Sequence, residues 1–221
     1  MSEEGPRGNK QRDWSYWLQI VSAGIMSAAI VLSAFSAWQA TRWSGVQSIA
    51  FAEASALRTQ ALNEFGTANA QTAYDAIIFS EFAIEFRGAL DDPALLEEAE
   101  EVSQRLVRDE FRTALEAWIA LEPNENPDVP QTPFELPEYT NARQEEGERL
   151  QLAAEEKAEE AKDANQNGDD YILSTVFLAS VLFFAGVATK FEVPKVEAML
   201  LAMALLGLIA GLVRIITLPI H

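Results

Sequence analysis

Apolar residues in this chain are gathered into three uninterrupted blocks, and the polar stretches between them follow a helical rather than an alternating period. The first block, residues 17–38, reads WLQIVSAGIMSAAIVLSAFSAW and holds no charge. At ~1.5 Å per residue it is about 30 Å long, the thickness of a bilayer hydrocarbon core. Trp14, Tyr16 and Trp17 open it and Trp38 and Trp43 close it, as aromatic belts do at the two membrane interfaces. A cleaved signal peptide is the competing reading. Arg7, Lys10 and Arg12 form a basic leader, and Ala34-Phe35-Ser36 is a passable cleavage site. The apolar run is longer than the ~7–15 residues of such a peptide, which favours a retained anchor.

The second and third blocks form a pair. Residues 171–189 read YILSTVFLASVLFFAGVAT, and residues 197–218 read EAMLLAMALLGLIAGLVRIITL. The intervening KFEVPKV, broken by Pro194, has room only for the turn of a helical hairpin. The predicted class is all-α and integral to the membrane, with a tail at 1–16 and three transmembrane helices. These cover 17–41, 170–190 and 197–218, the last two joined by a loop at 191–196.

Residues 42–169 make a helical extramembrane insert. Its first segment, about 45–87, is rich in Ala, Glu and Gln and free of proline, so it can continue the first transmembrane helix as a stalk. Gly88 is the expected stop. Asp91-Asp92-Pro93 reads as a restart, with an acidic N-cap and proline at the first helical position. That second helix is expected to reach about residue 121, with Val107, Phe111, Leu115 and Trp118 as its buried stripe. Residues 122–137, with five prolines, form an irregular connector. A third helix, about 140–164, is dense in Glu and Ala and offers only a narrow apolar face.

Charge sharpens the picture. The chain carries 34 Asp and Glu against 16 Lys and Arg, although its mean hydropathy is near zero. Residues 44–170 alone hold 29 acids and 9 bases, a net of −20. An insert of that sign excludes nucleic acid as a partner and disfavours close contact with lipid headgroups. The sequence has no cysteine, and its one histidine is His221, so disulfides and Cys- or His-based metal chemistry are out of reach. The Lys and Arg near the membrane ends favour a cytoplasmic N-terminus and hairpin, with the insert outside. Arg7, Lys10, Arg12, Lys190 and Lys195 stand on the first side, and Arg42, Arg58, Lys162 and Arg214 on the other.

Three patterns are candidates for chemistry or recognition. Asp163-x-Asn165-x-Asn167-Gly168, followed by Asp169, matches the opening of a calcium loop. The bidentate carboxylate required at position 12 is instead Ser174. The simpler reading ends the Glu-rich helix at Asn167-Gly168 and caps the second membrane helix with Asp169 or Asp170. Small residues then mark packing seams: Ser22, Ala29, Ser33, Ser36 and Ala40 on the first membrane helix, Thr175, Ala179 and Gly186 on the second, Gly207 and Gly211 on the third. Packing within one chain competes with a serine-lined pore built from several copies, and the absence of mid-membrane acids or amides favours packing. Finally, Arg214 is expected to snorkel to the interface or to pair with Asp169 or Asp170.

The segment ANQNGDDY (164–171), the run FFAGVATKF (183–191) and AWQATRW (37–43) resemble small bacterial membrane proteins of unknown function. In these a helical insert separates one transmembrane helix from a C-terminal pair. The resemblance implies that architecture, a bacterial inner membrane and no known activity or cofactor. No phosphate-binding glycine loop, nucleophile elbow or metal-ligand spacing occurs in the sequence. The expected function is a non-catalytic membrane scaffold or sensor that self-associates and offers an acidic helical surface to a protein partner or to cations. The alternative is a homo-oligomeric cation channel lined by the serine face of the first helix.

Overall fold

The computed structural model describes residues 6–89, 105–123, 126, 128–191 and 193–221 of the chain. Every regular element among them is helical. Helix α1 spans Pro6–Ala89, α2 Asp109–Ala120, α3 Ala142–Ala188 and α4 Pro194–Thr217, with a 3₁₀ turn at Pro133–Glu135. Helices α1, α3 and α4 are each long and apolar enough to cross a membrane. Asp91, Asp92 and Pro93, expected to restart a helix, lie outside the described residues.

The chain divides into two compact units, Met1–Glu53 with Glu156–His221, and Ala54–Glu155. In the first, α1 and α3 run antiparallel. Ser22 donates to the Ala185 carbonyl at 3.0 Å, Gln47 donates to Asn165 Oδ1 at 2.8 Å, and Lys157 pairs with Glu53 at 3.1 Å. Along the apolar stretch of α3 the buried positions are Tyr171, Ser174, Leu178, Val181, Ala185 and Ala188, at steps of three and four residues. They meet Ile25, Ala29 and Ala40 of α1 and Leu201, Ala204 and Ile215 of α4 in one apolar core. Helix α4 closes on α3 through glycine. A Cβ on Gly211 would lie 3.2 Å from Leu178, and one on Gly207 would lie 2.9 Å from Val181. Small residues allow this approach, which supplies packing where lipid removes the hydrophobic drive. Pro194 stands in the first turn of α4, where its missing N–H costs nothing, and the Val193 carbonyl accepts from Val196 and Glu197 at 3.0 and 3.1 Å.

The largest departure from expectation is α3. The Glu-rich segment and the second membrane helix are one helix, so Asn167-Gly168 is no stop and Asp169 and Asp170 cap nothing. Tertiary contact explains the difference. Gly168 is buried where α3 approaches α1, and a Cβ there would stand 3.7 Å from both the Ala40 carbonyl and Trp43 Cβ. The glycine serves close approach rather than termination. Helix α1 is likewise unbroken through residues 42–45.

The second unit is built on an aromatic core. Ile78, Phe79 and Phe82 of α1 pack against Phe111, Ala114, Leu115 and Trp118 of α2, with Val107 just before it. The four residues expected to form the stripe of the second helix are all buried, yet the helix is interrupted at residues 107–108, between helical 105–106 and α2. Arg108 is extended (φ −60°, ψ 145°), and α2 begins at Asp109. Leaving the helical path lets the Arg108 side chain reach α1. At the other end Glu122 takes a left-handed φ of 54°, just after Leu121 and Glu122 N–H bond the Trp118 and Ile119 carbonyls. The proline-rich connector contributes to this core. Phe134 stacks on Phe111 (5.1 Å, 3°) and meets Phe79 and Tyr139 edge-on at 5.8 and 5.0 Å, while Trp118 Nε1 donates to the Pro130 carbonyl at 2.8 Å. Asn141 then starts α3: its Oδ1 accepts from Arg143 and Gln144 N–H at 3.0 and 3.3 Å, and its Nδ2 donates to the Ala68 carbonyl at 3.3 Å.

Candidate functional site

Two clusters of polar side chains stand out, one in each unit. In the unit formed by residues 54–155, Asp75 lies on the inward face of α1 and is fully buried. A buried carboxylate is costly unless it is paired and hydrogen-bonded. Arg108 supplies the pair in a two-pronged grip, Nε to Oδ1 at 3.0 Å and Nη2 to Oδ2 at 2.8 Å. The Tyr139 hydroxyl donates to Asp75 Oδ2 at 3.1 Å and lies 3.1 Å from Thr72 Oγ1, while Arg108 Nη1 reaches Glu110 at 2.6 Å. Hydrogen bonding to Asp75, with Glu110 adding to it, holds the guanidinium charge more firmly than in water. Burial pushes the Tyr139 phenol above its ordinary value of 10.0. Both oxygens of Asp75 accept hydrogen bonds, so the network ties α1 to Arg108 at the start of α2 and to Tyr139.

The second cluster lies in the unit formed by residues 1–53 and 156–221. Arg214 Nη2 donates to Asp170 Oδ1 at 2.7 Å, joining α4 to α3, while Asp169 accepts from Asn165 Nδ2 at 3.1 Å. Of the two acidic candidates for Arg214, Asp170 is therefore the one in contact. Beyond α4 the residues 218–221 fold back across α1 and α3. The Pro219 carbonyl accepts from Trp43 Nε1 at 3.1 Å and from the Tyr171 hydroxyl at 3.3 Å, and His221 N–H donates to Gln39 Oε1 at 3.3 Å. Gln39 is fully buried, and its Nε2 has no hydrogen-bond partner among the described residues.

The calcium pattern falls within α3. Asp163, Asn165, Asn167 and Asp169 occupy helical positions and do not form a ligand loop, because the expected break after Asn167 does not occur. Among the described residues no group of three or more His, Asp or Glu side chains is placed to hold a metal ion. The small residues divide into two sets. Ser22, Ala29 and Ser36 are fully buried against neighbouring helices, and Gly207 and Gly211 meet α3. Ser33 is half-buried. On α3 the buried row runs through Ser174, Leu178 and Val181, one step away from Thr175 and Ala179. Thr175 is half-buried and bonds its own helix at the Ile172 carbonyl, Ala179 is exposed, and a Cβ on Gly186 would meet nothing within 4 Å.

The Asp75–Arg108–Tyr139 network was missed from sequence. One signal for it exists: Ala61, Ala68, Asp75 and Phe82 recur every seven residues along the buried face of α1, and the carboxylate is the one charged member. Comparison with family models, curated proteins and solved structures found no match.

Proposed function

We propose that the chain is a non-catalytic, multi-pass membrane scaffold or sensor whose acidic helical segment recruits a cationic protein partner. One observation carries this reading: α1 and α3 each pass from an apolar, membrane-length stretch into an acidic stretch without a helix break. A change imposed on the acidic part therefore reaches the membrane part through unbroken backbone hydrogen bonds. The buried Asp75 carboxylate is taken up by Arg108 and Tyr139, and the buried Asn141 by the start of α3, which favours a structural role for both. Burial of Ser22 and Ser36 inside the chain favours packing over a pore lined by the serine face. The N-terminus and hairpin are assigned to the cytoplasm of a bacterial inner membrane, with the acidic segment outside. Self-association is part of the proposal.

The test uses the full chain in lipid nanodiscs. A partner identified by crosslinking should, when bound without the crosslinker, be released by 0.5 M salt, because exposed charges are screened over a few ångströms there. Replacing the exposed Glu145, Glu148 and Glu155 by Gln should weaken its binding. Binding indifferent to both treatments contradicts the proposal, as does a homogeneous monomer in mild detergent for the self-association part.

A further inference from the structure

We infer that the cleft beside residues 218–221 is a docking site for an extended, proline-containing, basic segment of a partner protein. Those four residues form a strap that fills the backbone-reading part of the site until the partner displaces it. The inference rests on the scaffold reading above and names the part of the partner that binds. Three hydrogen bonds hold the strap to α1 and α3, and all three fall on its main chain. Trp43 Nε1 and the Tyr171 hydroxyl donate to the Pro219 carbonyl, and Gln39 Oε1 accepts from His221 N–H. Pro219, Ile220 and His221 are themselves exposed. A cradle of this kind reads backbone and tolerates changes of side chain. Gln39 also carries one capacity that the strap leaves unused. It is fully buried, and its Nε2 has no hydrogen-bond partner among the described residues. A carboxamide with its oxygen on one N–H and a free donor beside it matches the N–H and C=O groups of an extended chain.

Conformation and charge then describe the occupant. Leu218, which precedes Pro219, is extended (φ −79°, ψ 145°), as the residue before a proline is driven to be. Indole and phenol donors on the carbonyl of an extended proline segment are the means by which aromatic-lined grooves hold proline-rich peptides. Beside the strap lies an open cleft of about 640 Å³, lined by Trp43, Val46 and Ile220 on its apolar side. Its α3 wall carries Glu156, Glu159, Glu160 and Asp163. Glu160 accepts from Lys157 at 2.8 Å and Glu159 pairs with Lys162, whereas Glu156 and Asp163 make no ion pair among the described residues. These two are seven positions apart on one helix, so they share a face about 10 Å apart along its axis. In an extended proline-type segment, residues three apart are separated by about 9 Å. Two Lys or Arg at that spacing therefore match the two free carboxylates. The chain's own proline-rich connector does not fit this wall, because residues 122–137 hold four acids and no base. The occupant is a partner protein rather than a second copy of that connector.

The test uses the full chain in nanodiscs of zwitterionic phosphatidylcholine and a fluorescein-labelled peptide, Ala-Pro-Lys-Ala-Pro-Lys. The same peptide with Glu in place of Lys is the control. Fluorescence polarisation should show saturable binding of the Lys peptide and none of the Glu peptide. Glu156→Gln combined with Asp163→Gln should weaken binding roughly three- to ten-fold, the scale of two exposed ion pairs. Gln39→Met, which keeps the bulk and removes the backbone contacts, should weaken it as well. Because the chain has no cysteine, a nitroxide on Ile220→Cys, an exposed position, reports the strap alone. Its mobile spectral component should grow as the Lys peptide saturates. No saturable binding, equal binding of both peptides, or an affinity unchanged in the Glu156→Gln, Asp163→Gln variant overturns the inference. So does binding that leaves the nitroxide line shape unaltered. A salt-released partner captured by crosslinking, together with a peptide that fails to bind, removes this inference and leaves the scaffold reading. Peptide binding that displaces the strap, with no partner captured, supports the site and contradicts the scaffold reading alone.

Discussion

Arg108 grips the fully buried Asp75 from the end of the extended residue that precedes α2, with two hydrogen bonds of 3.0 and 2.8 Å. Thirty-three positions separate the two residues along the chain. The contact therefore fixes where α2 lies on α1, and it does so at a position where an error leaves a charge stranded. Replacing Arg108 by Ala should destabilise the unit by about 3–5 kcal/mol, because the Asp75 carboxylate is left buried without its partner. Replacing both residues together, with Asp75→Leu and Arg108→Met, should cost much less than the sum of the single changes. Chemical denaturation of the parent, Asp75→Leu, Arg108→Met and the double variant, followed by tryptophan fluorescence, measures that coupling. Additive effects would show that the pair is not a unit.

The Tyr139 hydroxyl gives the same network an alkaline limit. Burial raises the phenol above 10.0, so the folded state favours the neutral form. The associated stability is present below pH ~10 and is lost as pH rises through the raised folded value. Arg108, held in its charged form by Asp75, stays cationic through this range. Stability of the protein should therefore fall above pH ~10, and Tyr139→Phe should flatten that fall while lowering stability at neutral pH. An equally steep alkaline loss in Tyr139→Phe would assign it elsewhere.

Helix α2 ends on a residue poorly suited to its backbone. Glu122 holds a φ of 54°, a left-handed conformation that costs a non-glycine residue roughly 1 kcal/mol. Glu122→Gly should stabilise the protein by a few tenths to about 1 kcal/mol, since relief of strain is partly offset by greater freedom in the unfolded chain. A thermal melt checks the sign, and a lowered midpoint would refute the strain argument.

Two serines on one face of α1 should respond differently. Ser22 donates to the Ala185 carbonyl, whereas Ser36 Oγ has no hydrogen-bond partner among the described residues. Ser22→Ala should cost about 0.5–1 kcal/mol, and Ser36→Ala should be neutral or stabilising. Unfolding of both variants in mixed micelles distinguishes them. Gly211→Leu, which drives a side chain into Leu178, should disrupt the α3–α4 pairing far more than either serine change.

Much of the helical pattern was legible because membrane length, aromatic belts and the stripe from Val107 to Trp118 depend on local periodicity. The errors came where tertiary contact decides. Asn167-Gly168 carries the local signature of a helix end, yet Gly168 lies against Ala40 and Trp43 and the helix continues. Thr175 and Ala179 share a helical row, but the neighbouring row is larger and more apolar and takes the core position. Phe134 and Tyr139 sit among prolines that announce an irregular chain, and nothing local shows that this connector inserts two rings between α1 and α2. Asp75 was readable as a charge in an apolar heptad row, while its partners Arg108 and Tyr139 lie too far along the sequence for any spacing rule.

Helices α1, α3 and α4 are long and apolar enough to cross a bilayer, and if all three do so the acidic segment and the α3–α4 turn stand on opposite sides. Single cysteines at the exposed Gln151 and Lys190, in a chain that has no other thiol, test this with a membrane-impermeant maleimide on intact cells. The account predicts that Gln151→Cys is labelled directly and Lys190→Cys only after the membrane is permeabilised. Labelling of both positions from the same side would contradict it.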